Sequence, residues 1–378
     1  MVHDFLLDLR GAERTFLELC RMWPEADIFT AVYDEQGTER RFAGRRVYSS
    51  FLQRLRPTAR TFRALLPLYP AAIESFDLSG YDLVVSSSSA WAHAVLCDED
   101  TTHVSYCYNP FRYAWNDREP TLARRDPVTR AFLRRSFRRW RQWDWIAAQR
   151  TDRYVAISRI TQARIRAYFG REAAVVHPPV DTSRFAPGSV SDHYAVVSEL
   201  MAHKQIDVAV QAFNQLKLPL LVVGDGPAAR GLHQRAGPTI RFAGRQPDAT
   251  VARILRSARA LIVTSVEEFG IAAVEAQASG RPVIARGEGG VLETVIEGRT
   301  GHLWTGGPSE LVQAVREFDT EMVDPAACVA NAARFDVSSF RQAMFAQVEA
   351  AVTEGSRRGG DREPLPTARL VRRAARDR

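Results

Sequence analysis

Two carboxylates stand eight residues apart in the stretch 264–280, which reads TSVEEFGIAAVEAQASG. The apolar run 260–263 before it is typical of a short buried strand, and the alanine-rich part after Gly270 favours a helix. We therefore expect Glu267 on a loop and Glu275 in the helix that follows. A loop that enters a helix exposes backbone N–H groups at the positive end of the helix dipole, which suits an anion. Carboxylates beside an anion site can accept sugar hydroxyls, so a sugar joined to a nucleoside diphosphate would fit both features.

The same spacing also occurs among solvated surface glutamates, so the flanking sequence has to support the interpretation. The stretch resembles the Glu-x7-Glu signature of retaining glycosyltransferases of family four. The likeness continues in the next strand at 280–285, in a second glycine turn at 289–295 and in a hairpin at 298–301. The resemblance extends over nearly the whole chain before its arginine-rich end, and the N-terminal half, including the stretch 50–55, resembles the bacterial mannosyltransferase-like branch of the family.

The resemblance implies an α/β protein of the GT-B fold, with two doubly wound Rossmann-like domains facing a cleft. Alternation of strand and helix patterns along the chain favours parallel sheets on its own. Two prolines at 178 and 179 stiffen the segment that we interpret as an interdomain linker. We expect an acceptor-side domain at 1–176, the linker at 177–187, a nucleotide-sugar domain at 188–354 with terminal helices crossing back, and a basic disordered tail at 355–378.

The resemblance also assigns roles within the site. It places Lys204 at the diphosphate, Glu267 at the donor sugar and Glu275 at the ribose, and it makes Lys204 and Glu267 the catalytic pair. Leaving-group charge would then be met by Lys204 and by backbone N–H groups. Further donor-binding positions are implied at Gly11, Tyr108, Gly244, Arg245, Phe269, Gly270 and Ile271.

Two residues depart from the family pattern. Tyr108 stands where a histidine usually touches the donor sugar, and a tyrosine can either replace that contact or merely pack. Glu199 stands near the diphosphate segment, where arginine is commoner. Because a carboxylate would repel a diphosphate, we expect Glu199 to point away and phosphate binding to depend more on Lys204.

The implied reaction is transfer of a hexose, with mannose from GDP-mannose as our first choice, to a hydroxyl of a glycan or lipid-linked acceptor, with retention. We expect no metal site, since no Asp-x-Asp lies in a suitable loop, no cofactor beyond the donor substrate, and no nucleic acid as partner. An epimerase or phosphorylase of the same fold is a second interpretation. Only Lys204 and Lys217 lie between residues 200 and 301, which argues against a pyridoxal phosphate lysine. A non-catalytic nucleotide-sugar-binding subunit is a third.

Length and cysteine usage set the general class. A chain of 378 residues favours two domains over one. No apolar run approaches the ~18 residues of a membrane-spanning helix, and Asp4 and Asp8 interrupt the first apolar run, so we expect no signal peptide. The four cysteines are scattered without a Cys-x-x-Cys spacing. Their distribution fits the reducing cytoplasm.

Positive charge is concentrated in two segments. Residues 124–150 hold nine arginines and two aspartates, and residues 356–378 hold eight arginines and three acids. In the first segment Leu133, Phe137 and Trp140 share one helical face. Such a helix suits an anionic membrane surface, which would place the protein at the inner face of the plasma membrane. The alternative is that this apolar face packs inside the first domain.

Overall fold

The computed structural model describes residues 1–59, 61–123, 125–318 and 322–358. The chain divides into two compact units. The first comprises Met1–His177 together with the segment that returns from Arg341, and the second comprises Pro178–Phe340. The helices in chain order are α1 (Gly11–Met22), α2 (Tyr69–Glu74), α3 (Arg118–Ala123), α4 (Pro127–Ala148), α5 (Arg159–Phe169), α6 (Ile206–Leu216), α7 (Ala229–Arg235), α8 (Asp248–Ser257), α9 (Ile271–Ala278), α10 (Val291–Thr294), α11 (Pro308–Glu317), α12 (Pro325–Ala332) and α13 (Val337–Arg358).

The first unit is built on a seven-stranded sheet in which every neighbouring pair is parallel. The strand order is β3-β2-β1-β4-β5-β6-β7. The central strands are buried on both faces, and the polar side chains within them are hydrogen-bonded, as Ser86 is to His103 at 2.8 Å. The strands are β1 (Val2–His3), β2 (Ile28–Thr30), β3 (Val47–Ser49), β4 (Leu83–Ser88), β5 (Thr102–Cys107), β6 (Arg153–Ala156) and β7 (Ala173–Val175).

The second unit contains a six-stranded parallel sheet in the order β10-β9-β8-β11-β12-β13. Helices α6 and α11 pack together over a core that includes Phe213 and Leu311. The strands are β8 (Tyr194–Val197), β9 (Leu220–Val223), β10 (Ile240–Gly244), β11 (Leu261–Val263), β12 (Val283–Arg286) and β13 (Gly301–Trp304).

In each parallel sheet there is one point at which the order of the strands reverses, so that successive strands are added on the other side. In the first unit the strands run outward from β1 to β3, and the chain then continues on the other side with β4. In the second unit the same reversal falls between β8 and β11. Ligands of doubly wound sheets bind outside the carboxyl ends of the strands at such points. The residues that follow β1, β4, β8 and β11 are therefore the candidates for ligand contact.

The last helix, α13, belongs to the first unit from Arg341 onward. The Arg341 Nε donates to the buried Glu18 carboxylate at 2.6 Å, and the rings of Phe345 and Trp23 make an edge contact at 5.2 Å. Helix α13 continues to Arg358, past Gly355, where the sequence predicted that a tail begins. Residues 359–378, which hold the rest of that expected tail, lie outside the described residues.

Candidate functional site

The strand order of the second unit brings two charged residues together. Lys204 follows β8, Glu267 follows β11, and these two strands are neighbours in the sheet. The Lys204 Nζ lies 2.8 Å from Oε1 and 2.7 Å from Oε2 of Glu267. Both side chains are about one-fifth exposed, at 20% and 19%. The contact is therefore a charge-assisted pair at the point where the strand order of the sheet reverses, partly open to solvent.

Ser265 is the third member of this cluster. Its Oγ donates to Glu267 Oε1 at 2.5 Å, and the residue itself is only 3% exposed. Burial raises the pKa of the Glu267 carboxyl, but the positive charge of Lys204 and the hydrogen bonds from Lys204 and Ser265 outweigh burial. The pKa of Glu267 is lowered as a result, so the carboxyl is ionised at neutral pH.

The backbone at Lys204 is held independently of its side chain. Residues Ala202–Lys204 form a 3₁₀ turn, and the Thr264 hydroxyl donates to the Lys204 carbonyl oxygen at 3.0 Å. The next residue, Gln205, adopts a left-handed backbone with φ of 50° and accepts a hydrogen bond from Arg286 Nη1 at 2.7 Å. The lysine stem thus starts from an anchored point, while its four-carbon chain keeps rotational freedom.

The glycine turn after β12 supports the loop that carries Glu267. The Gly290 amide donates to the Glu267 carbonyl oxygen at 2.7 Å, and Glu267 and Gly289 form an isolated parallel bridge. A Cβ at position 290 would overlap the Phe269 Cα and the Glu268 carbonyl oxygen, inside the 3.0 Å that real Cβ atoms respect. Two backbones approach each other here at a distance that only glycine allows.

Helix α9 begins directly after this loop. Its N-cap, Gly270, has a φ of 96° and, as a glycine, supplies no side-chain cap to the first turn. Phe269 before it is buried, 3% exposed, and makes an edge contact with Phe335. Glu275 is half-buried one turn after Ile271, on the same side of the helix. The N–H groups of this first turn and the Lys204 ammonium are both suited to a diphosphate.

A buried amide network that was not predicted from the sequence lies behind α9. The Gln277 Nε2 donates to the Thr294 carbonyl oxygen at 2.7 Å, and Asn331 Nδ2 donates to Gln277 Oε1 at 2.6 Å. Asn331 also donates to the Thr294 carbonyl oxygen at 2.8 Å. The network ties α9 to α10 and α12. Polar residues within alanine-rich helices were the available signal, and Ser265 and Thr264 gave no signal beyond their position next to Glu267.

Gly244 and Arg245 lie at the carboxyl end of β10, two strands away from β8. Gly244 has a φ of 67°, and Arg245 is exposed. The Gly244 carbonyl oxygen accepts from the Gly224 amide at 2.9 Å. These two residues share the edge of the sheet with Lys204, but no described contact joins them to Lys204 or Glu267.

In the first unit, Asp4 lies directly after β1. Its carboxylate is fully buried and accepts five hydrogen bonds from Ser89–Ala92, the segment after β4. Gly11 then opens α1, where the Arg10 amide donates to Glu13 Oε2 at 3.0 Å. Asp4 therefore fastens the two loops at the point where the strand order of this sheet reverses. In the sequence, Asp4 stands out only as a break in an apolar run.

Tyr108 is buried, 8% exposed, and its hydroxyl has protein partners. The hydroxyl donates to the Ala12 carbonyl oxygen at 2.8 Å and lies 2.9 Å from the Ser87 Oγ. Ser87 in turn lies 3.0 Å from the His3 Nδ1. These contacts join the end of β5 to the first turn of α1, beside Gly11. The packing interpretation of Tyr108 explains all of them.

The predicted apolar face of α4 does not face solvent. Phe137 is 2% exposed, and Trp140 packs against the core with its ring 5.9 Å from that of Trp91. On the same side, the buried Asp144 carboxylate accepts from Trp115 Nε1 at 2.6 Å. The expectation that these apolar residues meet a membrane is therefore wrong, and the packing alternative holds for them.

Comparison with solved structures identifies the fold. The structure resembles solved glycosyltransferases over almost its whole length. Sucrose-phosphate synthase from Thermosynechococcus elongatus matches with a TM-score of 0.70 at 18% identity, over 94% of this chain and 100% of that one. HepE of Anabaena in complex with UDP-glucose matches with a TM-score of 0.67 at 18% identity, over 93% and 100%. The fold is GT-B, with two parallel-sheet Rossmann-like domains.

The family matches are more specific. Residues 9–184 match Glycosyltransferase Family 4, and residues 192–319 match Glycosyl transferases group 1. The D-inositol 3-phosphate glycosyltransferase of Mycobacterium tuberculosis is 30% identical over 224 residues, which cover 50% of this chain and 46% of that protein. The chain thus spans about half the length of the curated relatives it matches. Two glycosyltransferase family models thus match successive parts of the chain, while the predicted mannosyltransferase-like branch is not confirmed by these relatives.

Proposed function

We propose that this chain is a retaining glycosyltransferase that takes its sugar from a nucleoside diphosphate. The observation that carries the proposal is the Lys204–Glu267 pair beside the first turn of α9. One cation and a set of N–H groups suit a diphosphate, and two carboxylates nearby suit hydroxyls. An ion pair with a purely structural role would not need a helix N-terminus beside it, and a helix N-terminus would not need an ion pair beside it.

Each residue then has a role in the reaction. Lys204 and the N–H groups at Gly270 and Ile271 stabilise the charge that develops on the diphosphate as the sugar leaves. Glu267 accepts hydroxyl groups of the hexose, and Glu275 those of the ribose. The loop support from Gly290 keeps these groups in place before the donor arrives.

The donor has two candidates. Because Tyr108 departs from the family pattern, the identity of the donor sugar is not fixed by the sequence. We keep mannose from GDP-mannose, which the sequence led us to expect, as the first candidate. The structural neighbour HepE was crystallised with UDP and with UDP-glucose, which favours a UDP-hexose as the second candidate. A hydroxyl of a glycan or of a lipid-linked molecule is the proposed acceptor.

A donor screen tests the proposal. Thermal unfolding of the protein is measured with GDP, UDP and ADP sugars, and the best ligand is then offered with hydroxyl acceptors while product is followed by mass spectrometry. A ligand at 100 times its Kd should stabilise the fold by about 2.7 kcal/mol. Glu275→Gln should weaken nucleotide binding without preventing folding. Binding without any product would favour the non-catalytic subunit, and no stabilisation by any nucleotide sugar would refute the proposal.

We further propose that the protein works at the cytoplasmic face of a membrane. No helix of the described residues is long and apolar enough to cross a bilayer. The outer side of α4, opposite Phe137, carries Val128 and Phe132, which are 80% and 67% exposed, beside exposed arginines. An exposed apolar pair within a cationic surface suits anionic lipid, where a lipid-linked acceptor would lie.

A further inference from the structure

Lys204 and Glu267 satisfy each other in the structure. Both carboxylate oxygens of Glu267 accept from the Lys204 ammonium, at 2.8 and 2.7 Å. An ammonium has three donors, and two of them are used in this contact. A diphosphate that arrives at Lys204 therefore meets a lysine whose charge is already neutralised by Glu267.

Glu267 and an incoming diphosphate compete for the Lys204 ammonium. A carboxylate that stays on Lys204 would lie against the incoming phosphate oxygens, and like charges at such distances repel. The Lys204 carbonyl is held by Thr264, so the backbone of this turn need not move. Only the flexible stem has to rotate, and such rotations of partly exposed side chains are fast.

We propose that donor binding exchanges the partner of Lys204 from Glu267 to the diphosphate, and that Ser265 is the positioning residue that holds the released Glu267 for the sugar. This inference rests on the proposed function and deepens it at the same site. The exchange makes the sugar-contacting carboxylate available only when a diphosphate occupies the lysine. A free diphosphate or donor must displace Glu267, so the ion pair lowers the affinity of the site for it.

Ser265 is suited to this role by its position. Its hydroxyl donates to Glu267 Oε1 at 2.5 Å from a buried position two residues earlier on the same loop. It therefore moves with Glu267 and not with Lys204. When the ammonium leaves, this hydrogen bond still fixes one carboxylate oxygen and leaves the other free to accept from a sugar hydroxyl.

Isothermal titration with UDP, GDP and inorganic pyrophosphate tests the exchange. Glu267→Gln removes the competing charge, so we expect the better of the two nucleotides, and pyrophosphate, to bind on the order of threefold to tenfold more tightly than to the parent protein. Sugar transfer should be lost in the same variant. Glu317→Gln, which removes one exposed negative charge at the end of α11, is the matched control and should leave binding unchanged. Equal or weaker binding to Glu267→Gln would overturn the exchange.

A second pair of variants tests Ser265. Ser265→Ala should bind UDP or GDP as the parent does, but its kcat should fall by at least about tenfold, since Glu267 is no longer oriented once Lys204 leaves. Ser265→Thr keeps the hydroxyl and should recover most of the kcat. A fall in kcat that threonine does not restore would overturn the positioning role, and thermal melts check that each variant is folded.

Different experimental results would refute this inference and the proposed function. If neither of these nucleotides nor an ADP sugar binds to the parent protein, the proposed function fails. Tighter pyrophosphate binding to Glu267→Gln would then still support the exchange at Lys204. If a nucleotide binds to the parent and to Glu267→Gln with equal affinity, the exchange fails and the proposed function stands.

Discussion

The Gly290 amide donates a hydrogen bond of 2.7 Å to the carbonyl oxygen of Glu267, so the loop after β12 holds the loop after β11. The isolated bridge between Glu267 and Gly289 lies next to this bond. Carboxyl-end loops of neighbouring parallel strands are thereby joined into one backbone unit before α9 begins. The orientation of Glu267 consequently depends on a residue that carries no side chain.

Gly290→Ala should disturb the site through this backbone contact. The new Cβ would overlap the backbone of Phe269 and Glu268, which must then shift. We expect a loss of about 1–3 kcal/mol in the free energy of unfolding and a fall in sugar transfer of at least about tenfold. Denaturant unfolding and initial rates measure the two effects. Gly231→Ala, in helix α7 where a Cβ meets no atom within 4 Å, is the control. It should retain sugar transfer and should lose no stability, because alanine is favoured over glycine within a helix by about 0.5–1 kcal/mol. Unchanged transfer by Gly290→Ala would contradict the role of this loop.

The sequence predicted the placement of the site residues better than their contacts. Glu267 on a loop and Glu275 within α9 follow from an apolar run and an alanine-rich segment, which are local patterns. The contact between Lys204 and Glu267 spans 63 positions and depends on the strand order, which local patterns do not contain. The hydrogen bond from Ser265 depends on one side-chain orientation, which the sequence does not specify.

Helix α4 shows that the sequence was also insufficient to predict which side of a helix is buried. Its sequence places apolar side chains on two sides, with Phe137 on one and Phe132 on the other. The periodicity that predicts the helix cannot tell which side meets the core, because that depends on neighbouring elements. Trp91 and Phe111 form the contacts that decide it, and both lie outside the helix.

Tyr108→Phe should separate packing from donor contact. Removal of the hydroxyl deletes its bonds to the Ala12 carbonyl and to Ser87, so the free energy of unfolding should fall by about 1 kcal/mol. Tyr106→Phe is the matched control, because it removes a buried hydroxyl that donates to Val176 in the same unit. If Tyr108 only packs, both variants should bind the donor with equal affinity in calorimetric titrations. A selective loss of donor affinity in Tyr108→Phe would restore the donor-binding role.

His103 should make stability depend on pH. Burial, with the nearby charges of His93 and Arg150, lowers the pKa of His103 to about 3, from an unperturbed value of 6.5. Below pH 6.5 the unfolded chain binds a proton that the folded chain rejects, so stability falls as the pH falls. Between pH 7 and pH 5 this group should cost about 2 kcal/mol. His103→Gln should remove that part of the slope in denaturant unfolding across this range. An identical slope in both proteins would show that His103 is protonated in the fold.

The outer side of α4 should bind anionic membranes. Val128 and Phe132 would enter the lipid, while the exposed Arg135 and Arg139 on the same stripe would meet headgroups, each contributing on the order of 1 kcal/mol near the surface. Sedimentation with vesicles measures the bound fraction. Binding should require anionic lipid and should weaken as salt shortens the Debye length, which is roughly 8–10 Å near physiological ionic strength.

Three sets of variants distinguish lipid insertion from general charge attraction. Glutamine at Arg134, Arg135, Arg138 and Arg139 should abolish sedimentation with anionic vesicles. Asparagine at Val128 and Phe132 keeps every charge, yet it should lower the bound fraction several-fold, because the apolar contribution is lost. Leu292→Asn, a 55% exposed leucine of the second unit, is the control and should bind as the parent does. Equal binding to neutral vesicles would contradict the charge requirement, and no effect of the asparagine pair would show that Val128 and Phe132 stay in water.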